Sequence, residues 1–165
     1  GFDQATNNAA RTLVTWTTTS AASPKPRVSA RFIGADGLPD GNTITTPDDG
    51  VSRNSSGVAI GSDYGSLIWA EEPDPTESTL FGRILPEGAQ PGAPVSLSDP
   101  AFTPVFSRID MAENGVGAVI WGEYDGTSSN IVARQILPPP DCFPAGEPSS
   151  RASRFRSRSP APVSS

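Results

Sequence analysis

The chain has 165 residues, a length that fits one domain, and its formal net charge is −6. It contains no histidine and one cysteine, Cys142, which excludes Ser-His-Asp triads, His-ligated zinc, thiolate metal clusters and an intrachain disulfide. Residues 1–137 carry 8 basic and 16 acidic side chains, so they repel phosphate backbones and no nucleic-acid partner is expected. No apolar run approaches the ~18 residues of a membrane helix, so no membrane span is expected.

Four segments typical of β-strands succeed one another in residues 1–50. They are rich in Val, Ile, Leu, Thr and aromatic residues, and turns rich in Gly, Pro, Asp and Asn separate them. In chain order they are Gly1-Phe2-Asp3, Leu13-Val14-Thr15-Trp16, the segment around Arg31, and Thr43-Ile44-Thr45-Thr46. The pattern predicts four short antiparallel strands in this unit.

The same succession returns in residues 51–102 and, in part, in residues 103–137. The second unit contains Val58-Ala59-Ile60, Leu67-Ile68-Trp69, the segment around Arg83, and Val95-Ser96-Leu97. The third contains Phe106-Ser107-Arg108-Ile109-Asp110, Val119-Ile120-Trp121 and the segment around Arg134, with no clear fourth strand after Leu137. The chain is therefore interpreted as about three related units.

Tryptophan and arginine mark the repeat. Trp16, Trp69 and Trp121 lie 53 and then 52 residues apart, and a fixed period of this length is typical of repeat architectures. Arg31, Arg83 and Arg134 follow the tryptophans at 15, 14 and 13 residues. We interpret these six residues as structural.

An all-β fold is expected, because 18 prolines and 16 glycines oppose long helices and no 3.6-residue apolar period is sustained. The tryptophan strands are apolar at consecutive positions, which predicts burial on both faces. Stacked four-stranded antiparallel sheets, as in the blades of a β-propeller, would bury them in this way. We therefore predict a partial propeller, with a β-sandwich as the alternative.

The tryptophans and arginines are expected to be cross-strand neighbours in each unit. A guanidinium stacked on an indole contributes roughly 0.5–2 kcal/mol, depending on desolvation. The residue before each arginine is small, which would leave room for the ring; these residues are Ala30, Gly82 and Ala133.

The units resemble a repeat family of secreted bacterial proteins. The matching segments are Phe2-Asp3-Gln4-Ala5-Thr6-Asn7, Leu13-Val14-Thr15-Trp16, Ser29-Ala30-Arg31-Phe32 and Asp36-Gly37-Leu38-Pro39, and the resemblance covers about residues 1–137. It implies a propeller-like, non-enzymatic scaffold or binding module in an exported protein, located outside the cell or at its surface. Closed propellers have roughly 4–8 blades. The expected partners are therefore missing blades of a longer chain or further copies of this one, and a protein or glycan ligand.

The hairpin loops after the tryptophan strands vary most, and variable loops on a repeated scaffold usually carry binding specificity. The candidate contact residues there are Glu71, Glu72, Asp74, Glu123, Tyr124 and Asp125. A fragment of a propeller enzyme, of glycosidase or lyase type, is the alternative, because such catalysis uses paired carboxylates. No catalytic residue is assigned.

No cofactor is expected, although carboxylate pairs offer hard oxygen ligands to calcium. These pairs are Asp36 with Asp40, Asp48 with Asp49, and Asp74 with Glu77, and none has the spacing of a known calcium loop. Residues 138–165 are rich in Pro, Ser and Arg, which predicts a disordered tail or linker. Cys142 lies in this segment, as an incidental thiol or a partner for a cysteine elsewhere.

Overall fold

The computed structural model describes residues 1–22, 24–74, 76–87, 90–137 and 156–157. The all-β prediction is confirmed, since the described residues form antiparallel strands and no helix. They build three four-stranded sheets, ordered β1-β2-β3-β4, β5-β6-β7-β8 and β12-β11-β10-β9. Each sheet is a meander in which sequence neighbours are hydrogen-bonded neighbours.

Each sheet takes its first three strands from one repeat unit. The first sheet contains β1 (Phe2–Thr6), β2 (Thr12–Thr18), β3 (Arg27–Ile33) and β4 (Pro39–Thr45). The second contains β5 (Ser52–Ile60), β6 (Tyr64–Asp74), β7 (Glu77–Pro86) and β8 (Val95–Ser96). The third contains β9 (Thr103–Met111), β10 (Gly117–Tyr124), β11 (Ser129–Ile136) and β12 (Arg156–Ser157).

The second sheet lies between the other two and packs on both. Leu67 and Trp69 of β6 belong to a buried cluster that includes Leu13 and Val28 of the first sheet. Ile68, on the opposite face of β6, belongs to a second cluster that it shares with the third sheet. Side chains alternate between the faces of a strand, so consecutive apolar residues serve two different interfaces.

The prediction of burial on both faces holds for β6 and is wrong for β2 and β10. Every residue from Tyr64 to Ala70 is buried. In β2, Leu13 and Thr15 are buried while Trp16 is half-buried, and in β10, Trp121 is buried while Ile120 is 47% exposed. The reason is position, because among the described residues each of these strands has a neighbouring sheet on one side.

Three turns tie the sheets together at one end, each between the first and second strands of its sheet. The side-chain amide of Asn7 donates to the carbonyl oxygen of Gly61 at 2.9 Å. The backbone N–H of Ser62 donates to the carbonyl oxygen of Glu113 at 3.0 Å. The hydroxyl of Tyr64 donates to the carbonyl oxygen of Gly115. The register between sheets is therefore fixed by polar contacts as well as apolar packing.

The fourth strand that the sequence did not reveal in the third sheet is β12. Its two residues pair with β11, Arg134 opposite Ser157 and Gln135 opposite Arg156. The rest of the predicted tail, including Cys142, lies outside the described residues.

Candidate functional site

The tryptophan–arginine pairing differs from the prediction. The residues directly opposite the tryptophans on the third strands are Ser29, Phe81 and Val132. Each arginine instead lies opposite the residue two before the tryptophan, on the same face; these partners are Val14, Leu67 and Val119. The relation is diagonal because the strands pair two residues out of the predicted register.

Only part of the expected ring stacking is therefore found in the described chain. The guanidinium of Arg134 lies over Trp121, 5.8 Å from the ring centroid. Trp69 stacks on Phe81 instead, with centroids 6.1 Å apart. Gly82 faces away from Trp69, because a Cβ there would meet Leu97 at 3.0 Å. In the second sheet the small residue before the arginine thus makes room for Leu97, which follows β8.

The repeated arginines bind backbone carbonyls. Arg31 donates to the carbonyl oxygen of Gly41, within β4, at 3.0 Å, and Arg83 donates to that of Gly92, in the loop before β8, at 2.7 Å. Arg134 reaches the carbonyl oxygen of Ser96 in the second sheet, at 3.2 Å. Burial lowers the pKa of Arg83 below its usual value.

Two of the predicted loop acids bind tryptophan. The indole Nε1 of Trp69 donates to Oε1 of Glu71 at 3.0 Å, and that of Trp121 donates to Glu123 at 2.9 Å. Both tryptophans are 1% exposed, so their N–H groups need an internal acceptor. These two carboxylates therefore stabilise the fold by accepting buried indole N–H groups.

Glu71 also belongs to an ion network around Arg53, whose side chain is 4% exposed. Arg53 Nε donates to Glu71 at 2.8 Å, and its two terminal nitrogens hold the carboxylate of Asp49 at 2.7 and 2.8 Å. This bidentate pair lowers the pKa of Asp49 to about 2 and raises that of Arg53.

The other predicted acids lie at hairpin tips and shape turns. Asp74 Oδ1 accepts from the N–H and the hydroxyl of Thr76, which lowers the pKa of Asp74. Asp125 accepts from the backbone and side chains of Thr127 and Ser128, which holds its pKa well below the usual range. Tyr124 donates to the carbonyl oxygen of Gly126 at 2.7 Å. Each of these three residues is bound within its own hairpin.

The acids considered for calcium have other contacts. Asp40 is bound by Arg11 at 2.7 Å, Asp48 by Arg27 at 3.4 Å, and Asp36 accepts the N–H of Leu38. Within the described part of the chain, no three acidic, His or Cys side chains come together as a metal-ligand set.

A concave surface follows the first strands of the three sheets. This first-strand cleft has a volume of about 670 Å³, and five of its lining residues are Phe2, Asp3, Glu72, Phe106 and Arg108. Glu72 is the one predicted contact residue that reaches it. The cleft thus extends from Glu72, in the predicted loop surface, to first strands for which the sequence predicts no binding role.

β-Bulges shape the cleft. In β5, two residues lie opposite Trp69, between the pairs Asn54–Ala70 and Gly57–Ile68. In β9, Phe106 and Ser107 lie opposite Trp121 in the same manner. A bulge bends its strand and redirects a side chain, and bulges are common beside binding sites.

Phe106 has an unusual backbone conformation. Its φ is 52°, a left-handed value that is an outlier for a bulky residue, and its side chain is 91% exposed. Phe2, also in the cleft, is 84% exposed. Neither burial nor local propensity accounts for a strained aromatic side chain held in solvent.

Charged groups accompany the two rings. Asp3 accepts the N–H of Val58 at 3.2 Å, and Glu72 accepts from the amide of Asn54 at 3.1 Å. Arg108 donates to the carbonyl of Ser107 at 2.9 Å and makes no ion pair with a described carboxylate. The cleft therefore offers apolar ring faces, carboxylate acceptors and a guanidinium donor.

Sequence reasoning placed Phe2 and Phe106 in ordinary strands. A bulge depends on how two strands register, so a single strand's composition carries little signal for it. The presence of an aromatic residue at a corresponding place in two units was the only available indication.

Comparison with known proteins yields no relative. No protein-family model matches the chain, and no curated protein or solved structure is significantly similar to it. The described residues also contain no helix long and apolar enough to cross a membrane. A function must therefore be argued from the chemistry of the cleft.

Proposed function

We propose that this chain is a non-enzymatic binding module that holds a glycan in the first-strand cleft. The observation that carries the proposal is Phe106, kept at a left-handed φ with its ring 91% exposed beside carboxylates and a guanidinium. Backbone strain of about 1–3 kcal/mol persists where the surrounding structure enforces it, often at ligand sites.

A sugar suits this chemistry. The apolar face of a pyranose ring packs on an aromatic side chain, and its hydroxyls bind carboxylates and guanidinium groups. Phe2 and Phe106 supply ring surface, while Asp3, Glu72 and Arg108 supply acceptors and donors. Small-ligand sites combine apolar walls with a few placed polar groups, and the lining of this cleft contains both.

We further propose that the three sheets are blades of a partial propeller. The first strands support this, because β1 contacts β5 and β5 contacts β9, while β4 and β8 lie at the opposite edges of their sheets. In a propeller the first strands surround the axis. The cleft would then lie near the axis, where ligands of many repeat proteins bind.

Binding is preferred to catalysis because the paired loop acids have structural partners. Glu71 and Glu123 accept indole N–H groups, and Asp125 holds a hairpin turn. Location outside the cell or at its surface belongs to the same proposal and is supported by the resemblance to secreted repeat proteins.

The test is a glycan array followed by calorimetry with the 165-residue chain and its Phe106→Gly variant. Glycine adopts the left-handed φ without strain, so the fold should persist while the ring is lost. We expect affinity for the selected glycan to fall at least about tenfold, which is about 1.4 kcal/mol.

Ala10→Gly is the matched control. Ala10 is the other non-glycine residue with positive φ among those described, at 58°, and it does not line the cleft. Its replacement should leave affinity unchanged. Equal affinity of the Phe106→Gly variant and the parent chain, or no glycan binding at all, would overturn the proposal.

The same glycan also tests the enzyme alternative. Incubation with the parent chain and chromatography of the products should return the glycan intact. Cleavage that disappears in Asp3→Asn or Glu72→Gln would replace the binding proposal with a hydrolytic one.

A further inference from the structure

The two interfaces between sheets of this chain are oriented in the same way. In each, the later sheet presents its tryptophan and the residue two before it, such as Leu67 and Trp69. The earlier sheet presents the residue just before its own tryptophan, which is Thr15 in the first interface and Ile68 in the second. Every sheet therefore has a tryptophan face and a reverse face that fit one another.

Because the interfaces are oriented alike, one tryptophan face and one reverse face stay uncovered among the described residues. The first sheet turns its tryptophan face outward, and Trp16 and Val14 on it are half-buried. The third sheet turns its reverse face outward, with Ile120 47% and Ile131 74% exposed.

The strand register of the third sheet, compared with that of the second, shows which kind of surface would cover the open reverse face. Ile120 corresponds to Ile68, and Ile131 lies opposite Gly122 as Leu80 lies opposite Ala70. Ile68 and Leu80 are each 1% exposed, because the tryptophan face of the third sheet covers them. A second tryptophan face would bury Ile120 and Ile131 in the same way.

We propose that a second copy of this chain supplies that face, so that the chain pairs head to tail. The reverse face of the third sheet packs on the tryptophan face of the first sheet of the partner copy. Two such contacts close a ring of two chains and six sheets, which lies within the roughly 4–8 blades of closed propellers. The inference depends on the stacking described above. Phe2 lies opposite Trp16 on the open tryptophan face and also lines the cleft, so pairing and glycan binding share this residue.

Arginine supports the assignment. Arg134, at the interface between the second and third sheets, donates across it to the carbonyl oxygen of Ser96. Arg31 occupies the corresponding position on the open tryptophan face; one terminal nitrogen donates to Gly41, and its Nε, like that of Arg134, is buried without a partner among the described residues. A carbonyl from the third sheet of a second copy would lie on the side that Arg31 faces.

The experiment measures the mass of the 165-residue chain by light scattering behind a sizing column. We expect twice the 17.1 kDa of one chain. Ile131→Lys places a charge on the open reverse face, and Gln4→Lys places one beside Val14 on the open tryptophan face. Both positions are exposed, so each variant should keep its far-UV circular dichroism and run at the mass of one chain.

Mixing the two variants separates head-to-tail pairing from a symmetric contact. Each variant keeps one intact face, so an equimolar mixture should regain the mass of two chains. Leu38→Lys, at an exposed apolar residue in a turn outside both faces, is the control and should remain paired.

Three results would overturn the proposal. They are a parent chain that stays at the mass of one copy at all concentrations, charge variants that pair as the parent does, and a mixture that does not regain mass. A mass that rises without limit would overturn the closed ring.

Discussion

The indole N–H of Trp121 donates to the carboxylate of Glu123 at 2.9 Å, two residues further along the same strand. Trp69 and Glu71 repeat this contact in the second sheet, at 3.0 Å. Residues two apart share a face of a strand, so each buried indole finds its acceptor where the strand emerges from the core. Acids that the sequence places on a binding rim thus complete the core.

Removing this acceptor should cost stability. Glu123→Ala leaves a buried N–H unsatisfied and should lower the free energy of unfolding by about 1–3 kcal/mol. Glu123→Gln keeps an acceptor oxygen and should unfold close to the parent chain. Urea unfolding followed by tryptophan fluorescence measures both. Equal losses in the two variants would mean that the charge, and not the hydrogen bond, matters.

Trp69 and Trp16 should contribute differently to the stability of the fold, although they occupy the same position in the repeat. Trp69 is 1% exposed in the central sheet, and truncating a buried aromatic residue costs about 3–5 kcal/mol, so Trp69→Ala should be close to unfolded. Trp16 is half-buried, and Trp16→Ala should cost less when measured on unpaired chains. Thermal denaturation compares them, and a Trp69→Ala protein with normal melting would contradict the assigned core.

Two glycines test the contact between turns. Gly115 and Gly50 have φ of 79° and 80°, so alanine at either position costs about 1–2 kcal/mol of backbone strain. A Cβ at Gly115 would also lie 2.6 Å from the ring of Tyr64, whereas one at Gly50 meets open space. Gly115→Ala should therefore be clearly the less stable variant in urea. Similar midpoints would show that Tyr64 moves aside at no cost.

Acid should weaken the Asp49–Arg53 pair. The folded pKa of Asp49, about 2, lies below its ordinary value of 3.8, so its contribution is present above pH 4 and is lost as the pH falls toward 2. Asp49→Asn should be less stable than the parent chain at pH 7, and the difference should shrink toward zero by pH 2. Unfolding free energies across this range provide the measurement.

Asp48→Asn is the control for this titration. Asp48 lies 3.4 Å from the partly exposed Arg27, so its loss should change stability less at neutral pH. A stability difference for Asp49→Asn that persists at pH 2 would mean that the carboxylate's charge is not the cause.

Much of the fold was predictable because strand propensity and turn residues are local. The period of Trp16, Trp69 and Trp121 located the second strand of each sheet, and the glycines and prolines between strands excluded helices. The fourth strand of the third sheet was missed because β12 is two residues long and lies 20 residues beyond β11. Only its pairing with Arg134 and Gln135 defines it.

The candidate site was far less predictable. Of six proposed contact residues, Glu72 alone lines the cleft, since the others pair with an indole or close a turn. Phe106 was read as a strand residue, because the bulge that exposes it arises from its alignment against Trp121. A hydrogen-bond partner or a bulge on another strand cannot be read from one segment.

The sequence by itself determined the strands other than β12, their order and the repeated tryptophan and arginine positions, because these follow from short-range propensity and spacing. Tertiary structure decided which face of each strand is buried. Ile68 and Ile120 occupy the same place in the repeat, yet one is 1% and the other 47% exposed. The reason is physical: burial depends on whether another sheet lies against that face, and no property of the residue itself records its neighbour.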